Sequence, residues 1–186
     1  MPHIAILSSS VRTKRASHRV ALFFETFIRE QNLATSEIVD LDSYHFPIFE
    51  ERLRFQREPD AKTLEFAHKI KNADAVIIVT PEYNGGYPAA LKNAIDLLYD
   101  EWYRKPVAIA TVSSGNFGGS QAIYTLQFTL WKMRAWTVPV MFPVARVEES
   151  YSESGIPAEK AQTEKRAAFF LAELLWCVEA LSRMKS

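Results

Sequence analysis

Three short segments carry the residue types able to do chemistry. The first is Ser8–Arg19, SSSVRTKRASHR, with four serines, Thr13, four Lys or Arg side chains and His18. Between a strand and a helix, such a loop offers hydroxyls, forked guanidinium donors and the free N–H groups of a helix start. That set suits an anion, and a phosphate above all. The loop lacks the Gly-Lys-Ser/Thr ending of a Walker motif and has no glycine for a dinucleotide fingerprint. The plain alternative is a solvated loop that only caps the next helix. The second segment, Thr80–Asp96, reads TPEYNGGYPAALKNAID. Gly85-Gly86 between two tyrosines lets backbone approach a flat partner. Asn84 can donate and accept, as a heterocycle edge requires, and Pro88 suits the first turn of a helix. Asn-Gly is equally a common turn dipeptide, so the residues alone leave these two readings level. The third segment is Ser113-Ser114-Gly115-Asn116-Phe117-Gly118-Gly119.

The elements around these segments alternate. His3–Leu7 is a short apolar run, read as a buried first strand. Val20, Phe24, Phe27 and Ile28 then mark one face of a helix. Ser36–Leu41 reads as a second strand and Asp42–Pro59 as a long loop. A helix over Asp60–Asn72 is expected to bury Leu64, Ala67 and Ile70. Ala75–Val79 and Val107–Val112 are unbroken apolar runs, as in strands covered on both faces. Helices are expected over Ala89–Tyr99 and Ser120–Met133, a fifth strand over Thr137–Phe142 and a loop over Tyr151–Pro157. The last helix, Ala158–Arg183, carries Ala167, Leu171, Leu174, Leu175, Val178 and Leu181 on one stripe, above a solvated start at Glu159–Arg166. Five β-α alternations predict one α/β domain over residues 1–186, a doubly wound three-layer sandwich around a five-stranded parallel sheet. Ligands of such sheets bind beyond the carboxyl ends of the strands. The three segments follow strands one, three and four, where that rule places a site.

Composition narrows the function classes. The 186 residues are 48% hydrophobic and 24% charged, ordinary for a globular chain. Lys plus Arg and Asp plus Glu are both 22. A nucleic-acid binder needs a basic surplus, so that class loses ground. No apolar run reaches the roughly 20 residues of a bilayer span. The start MPHIAILSSS lacks the pattern of a secretory leader, and a single cysteine, Cys177, permits no internal disulfide. A cytoplasmic location is expected. Cys177 lies among Leu174, Val178 and Leu181 and reads as a buried, inert thiol. His3, His18, His45 and His68 have no metal-ligand spacing, so no metal is expected. Ser113 lacks a Gly-x-Ser-x-Gly context, against a hydrolase triad. Trp102, Tyr103, Trp131 and Trp136 are expected to be mostly core, some of them covered only in an oligomer.

Pro81-Glu82-Tyr83-Asn84, Pro88 and Leu91-Lys92-Asn93-Ala94-Ile95-Asp96 together resemble the signature of the NAD(P)H-dependent FMN reductase family. Ser10-Val11-Arg12 resembles that family's Gly-Ser-x-Arg phosphate loop, with Ser9 in place of the glycine. Ser113-x-Gly115-x-x-Gly118-Gly119 resembles its third loop, and Leu41-Asp42 with Pro47 and Glu50 its segment after strand two. The similarity runs from strand one to about Pro139.

The resemblance implies a flavodoxin-like fold with bound FMN and with NADPH or NADH as substrate. Ser10, Arg12, Ser17, His18 and Arg19 would surround the FMN phosphate, with Arg15 less fixed. Pro81, Glu82, Tyr83, Asn84 and Gly85 would line the ribityl chain and ring, and Ser113, Gly115 and Gly119 the opposite side. The flavin would carry the chemistry, so no side chain is expected as catalytic acid, base or nucleophile. Hydride would pass to flavin N5, and a quinone, azo compound, chromate or free flavin would collect the electrons in a ping-pong cycle. A homodimer with FMN near the interface is implied, and in some members a tetramer. Two other readings stand beside this one: an electron carrier without NAD(P)H turnover, and a regulatory flavoprotein. Carriers of that kind are strongly acidic, and the neutral charge counts against one.

Overall fold

The computed structural model describes residues 1–185, so Ser186, the last residue of the expected domain, lies outside the described residues. Five strands form one sheet: β1 (His3–Ser8), β2 (Thr35–Asp40), β3 (Ala75–Pro81), β4 (Pro106–Val112) and β5 (Trp136–Val144). All neighbours are parallel, in the order β2-β1-β3-β4-β5. The order reverses between β1 and β3, whose carboxyl ends lie side by side with Ser8 in register with Val79. The crevice of a doubly wound sheet opens at that point.

The central strands are apolar on both faces because helices cover both. α1 (His18–Glu30) and α7 (Lys160–Lys185) pack on one side with Ile4, Ile6, Ile77 and Ala110. α3 (Ala61–Asn72), α4 (Ala89–Leu97) and α5 (Ser120–Lys132) pack on the other with Leu7, Val76, Ile78 and Ile109. β5 is an edge strand, which explains how it holds Pro139 and Pro143. Its register with β4 shifts between Val107 and Ile109. Among the described residues no helix is long and apolar enough to cross a membrane.

Several expectations need correction. The segment expected as a loop after Asp42 begins with a one-turn helix, α2 (Leu41–Tyr44), capped by Asp40, and holds a 3₁₀ turn at Leu53–Phe55. Asn93 pins the rest: its side-chain amide donates to the Pro47 carbonyl at 2.8 Å and accepts from the Phe49 N–H at 2.6 Å. On α3 the buried line is Thr63, Phe66, Ala67 and Ile70, and Leu64, turned about 100° away from it, is 48% exposed. α4 stops at Leu97, and a 3₁₀ turn at Asp100–Trp102 drops Trp102 into the core, its indole N–H bonded to the Ile95 carbonyl at 3.2 Å. Trp102 is the one core member of the four large aromatics expected there; Tyr103, Trp131 and Trp136 are partly or largely exposed. The expected loop over Tyr151–Pro157 follows a further one-turn helix, α6 (Val147–Ser150). On α7, Phe170 and Cys177 join Ala167, Leu171 and Leu174 in the core, while Leu175 and Val178 are only partly covered. Burial, and then Glu173, push the Cys177 thiol up in pKa, as expected of an inert core cysteine.

Candidate functional site

The segment after β1 forms one wall of a cavity of about 910 Å³ lined by Arg12, Lys14, Arg15, His18 and Arg19, facing Asp42, Glu148 and Glu153. α1 starts at His18, with Ser17 at its N-cap position, yet Ser17 makes no side-chain capping bond. Its hydroxyl is buried and has no hydrogen-bond partner, and the Ser9 hydroxyl shares that state. Buried polar atoms are nearly always paired. Two orphaned hydroxyls beside a helix start and basic side chains fit a phosphate far better than a loop that only caps. Ser9 is absent from the residues with positive φ, so serine causes no left-handed strain where the family carries glycine.

Ser10, Arg15, His18 and Arg19 of this loop already have partners. Ser10 Oγ bonds the Tyr83 hydroxyl at 2.8 Å, tying the first segment to the second. Arg15 forks onto Asp40 and donates to the Ser10 carbonyl at 3.0 Å. Its hydrogen bond to Asp40 raises the guanidinium pKa, against an opposing effect of burial. Arg15 thus braces the loop rather than standing free for an anion. His18 Nδ1 bonds Ser8 Oγ at 3.0 Å. Burial lowers its pKa below the ordinary value, against the pull of Asp40 and with Arg15 adding to the lowering. Arg19 donates to the Tyr151 carbonyl at 2.8 Å, so its charge is shared between the cavity and the turn after α6.

The second segment is a tight turn. Tyr83 and Gly86 exchange backbone hydrogen bonds at 2.7 and 3.1 Å around Asn84 (φ 52°) and Gly85 (φ 79°). Two consecutive positive φ values are the demand of a type I′ turn, met by Asn-Gly. Pro81 ends β3 in register with Val112, and the Glu82 N–H bonds the Val112 carbonyl at 3.2 Å. The Glu82 carboxylate turns toward α5 and accepts the Gln121 N–H at 2.9 Å, a favourable place for a negative charge at a helix start.

In the third segment Gly119 sits at the N-cap of α5 with φ 72°. A Cβ there would lie 3.1 Å from both the N and O of Val112, so only glycine lets this loop fold back onto β4. A Cβ at Gly115 would meet nothing within 4 Å. Gly115 therefore borders open space and is not required by the chain's own packing. Ser113 Oγ donates to the Gly115 carbonyl at 2.9 Å. The segment rests on the chain after β5, since the Arg146 and Val147 N–H groups donate to Gly115 and Ser113 carbonyls.

The structure therefore brings Ser10, Arg12, Ser17, His18 and Arg19 together with Tyr83 at the switch point. Pro81–Gly85 and Ser113–Gly119 stand side by side next to them. Ser9, Asp40 as the partner of Arg15, and Gln121 were missed by sequence reasoning. Ser9 has a signal, as the middle of three serines after a strand; Asp40 and Gln121 have none, because their partners lie 25 and 39 residues away.

The model of a family described as NADPH-dependent FMN reductase matches residues 2–149. An NAD(P)H-dependent FMN reductase of Saccharomyces cerevisiae is 36% identical over 141 residues, 68% of this chain and 72% of that one. A quinone reductase of Pseudomonas putida is 33% identical over 133 residues, 68% of each chain. Among solved structures, a flavoenzyme NAD(P)H:(acceptor) oxidoreductase from Paracoccus denitrificans superposes with a TM-score of 0.75 at 24% identity, covering 96% of this chain and 98% of that one.

Proposed function

Because the chain belongs to the NADPH-dependent FMN reductase family, and is an NAD(P)H-dependent flavoenzyme with FMN as cofactor, we propose how its residues serve that chemistry. When bound, FMN supplies the redox chemistry, holding the reducing equivalents of NAD(P)H until an acceptor collects them. One open face serves both substrates in turn, so the kinetics are ping-pong. The acceptor is a quinone or a similar small oxidant such as an azo compound, chromate or free flavin.

The observation that carries this reading is the pair of buried, unpartnered hydroxyls of Ser9 and Ser17 beside the basic cavity. With Ser10, Arg12 and His18 they hold the phosphate, while Arg15 fixes the loop through Asp40 and Arg19 ties it to Tyr151. Pro81, Glu82, Tyr83, Asn84 and Gly85 offer backbone to the ribityl chain and ring on one side. Ser113, Gly115 and Gly119 do so on the other, where the open space at Gly115 admits a flat group. No side chain acts as nucleophile or catalytic acid. The protein orients the ring and leaves one face accessible. Residues 1–186 form one FMN-binding domain that works in the cytoplasm as a homodimer. The exposed line Tyr124, Phe128 and Trp131 on α5, whose first turn touches the flavin loops, supports association there.

An anaerobic visible spectrum before and after NADPH or NADH tests the reading. A flavin spectrum that bleaches, and recovers on adding a quinone, is the expected result. A flavin spectrum that neither nucleotide bleaches would favour an electron carrier or regulator. A colourless protein that cannot be reconstituted with FMN would overturn the assignment of these residues.

A further inference from the structure

A second cavity, of about 630 Å³, opens beside the third segment. The end of β5, α6 and the start of α7 form its walls, and Arg146, Glu149, Glu159 and Arg166 are its charged members. α6 stands between the two cavities: Glu148 lines the first, with the phosphate loop, and Glu149 and Ser150 line the second. The volume lies within the range of small-ligand sites.

Both guanidiniums in this cavity are anchored. Arg146 Nε donates to Asn116 Oδ1 at 2.6 Å, and its Nη1 lies 4.0 Å from the Glu149 carboxylate. Arg166 Nη2 donates to the Pro143 carbonyl at 2.7 Å, and the guanidinium lies over the Phe142 ring, 4.7 Å from its centroid. A guanidinium carries five N–H donors, and each arginine uses one in these hydrogen bonds. Two oriented cations with donors to spare suit a phosphate.

We infer that this cavity receives the adenosine end of NADPH, with its 2′-phosphate held by Arg146 and Arg166. The placement rests on the flavoenzyme reading above, which stands the nicotinamide over the ring beside Gly115. Gly115 borders open space, and its carbonyl accepts the Arg146 N–H at 3.0 Å. Arg146 thus joins the ring-facing loop to the cavity, and a dinucleotide crossing that loop arrives at the two arginines. The 2′-phosphate is the group that NADPH has and NADH lacks. Arginine selects that phosphate, whereas a carboxylate selects the free 2′-hydroxyl of NADH. Both signs are present here. Arg146 and Arg166 favour NADPH, and Glu149 beside Arg146 limits the preference.

Calorimetry on the FMN-loaded protein, with adenosine 2′,5′-bisphosphate and with adenosine 5′-phosphate as probes, reads the cavity without turnover. The bisphosphate should bind about tenfold more tightly, and Arg146→Gln or Arg166→Gln should remove the difference. In quinone reduction each variant should raise the KM for NADPH about tenfold with kcat retained, and so lower the NADPH-to-NADH ratio of kcat/KM. Glu149→Gln should move that ratio the other way. Equal affinity for the two probes, or a ratio that Arg166→Gln leaves unchanged, would overturn the assignment. If Arg146→Gln also loses FMN, through the third segment that it braces, Arg166→Gln decides, because its anchors lie on β5. If neither nucleotide reduces the flavin, the flavoenzyme reading fails, and the two probes still decide whether the cavity selects a 2′-phosphate.

Discussion

The loop after β1 and the loops after β3 and β4 solve two different binding problems. The first contains no glycine and offers side chains: the hydroxyls of Ser9, Ser10 and Ser17, the guanidinium of Arg12 and the imidazole of His18. The others depend on backbone made accessible by positive φ at Asn84, Gly85, Gly118 and Gly119. A phosphate is compact and charged, so hydroxyls and cations recognise it. A flat ring needs close approach along its edge, and side chains stand in the way of that. Substitutions should therefore fail differently in the two regions.

The largest expected effect is on the backbone side. Gly119→Ala combines a left-handed φ with a Cβ 3.1 Å from the Val112 backbone, and thermal or denaturant unfolding should show a loss of about 2–4 kcal/mol. Gly115→Ala is its control: with no atom within 4 Å of the new Cβ, apo stability should hold while FMN affinity falls. A Gly115→Ala protein that unfolds as readily as Gly119→Ala would erase the distinction between packing glycines and ring-facing ones.

On the side-chain side the pattern inverts. Ser17→Ala removes a buried hydroxyl that has no protein partner, so the apo protein should be as stable as wild type or slightly more so. FMN affinity, read by fluorescence quenching, should fall about tenfold for the loss of a charge-assisted bond worth about 1.5 kcal/mol. Destabilised apo protein with unchanged FMN affinity would make Ser17 a structural residue.

Tyr83→Phe breaks the bond to Ser10 that joins the two regions. A neutral hydrogen bond is worth about 1 kcal/mol, so a fewfold loss of FMN affinity is expected, with a changed KM for the quinone. Unchanged values for both would show that the two regions act independently.

The smallest effect is the pH dependence at His18. Burial holds its folded pKa below the ordinary 6.5, against Asp40. As pH falls below about 6.5 the unfolded chain takes up the proton first, so this contribution to apo stability is present above that pH and fades as pH falls through the folded pKa. A bound phosphate favours the protonated ring and should oppose the loss. His18→Gln should flatten the difference between apo and FMN-loaded melting temperatures across this range, and a difference that persists in the variant assigns it to another group.

Legibility followed the range of the interactions. The strands at Ala75–Val79 and Val107–Val112 and the amphipathic line of α1 were readable because burial on two faces or one is written in local periodicity. The outward turn of Leu64 was not, because Phe66 filled the core beside it. The phosphate loop was readable as a density of hydroxyls and cations. Which of those groups were already spoken for was not: Arg15 is held by Asp40 and Ser10 by Tyr83, partners 25 and 73 residues away.

By itself the sequence determined the order of elements, the parallel sheet, the three loops at its carboxyl edge and the family signature in Pro81–Asp96. Each is set by hydrophobic period, turn chemistry or residue spacing, all of which act over a few positions. Only the tertiary structure decided that Ser9 and Ser17 stand unpartnered, that Gly119 is fixed by Val112 while Gly115 is free, and that Trp131 and Trp176 face outward on opposite layers. Those outcomes depend on which distant groups meet, and that follows from the packing of the whole chain.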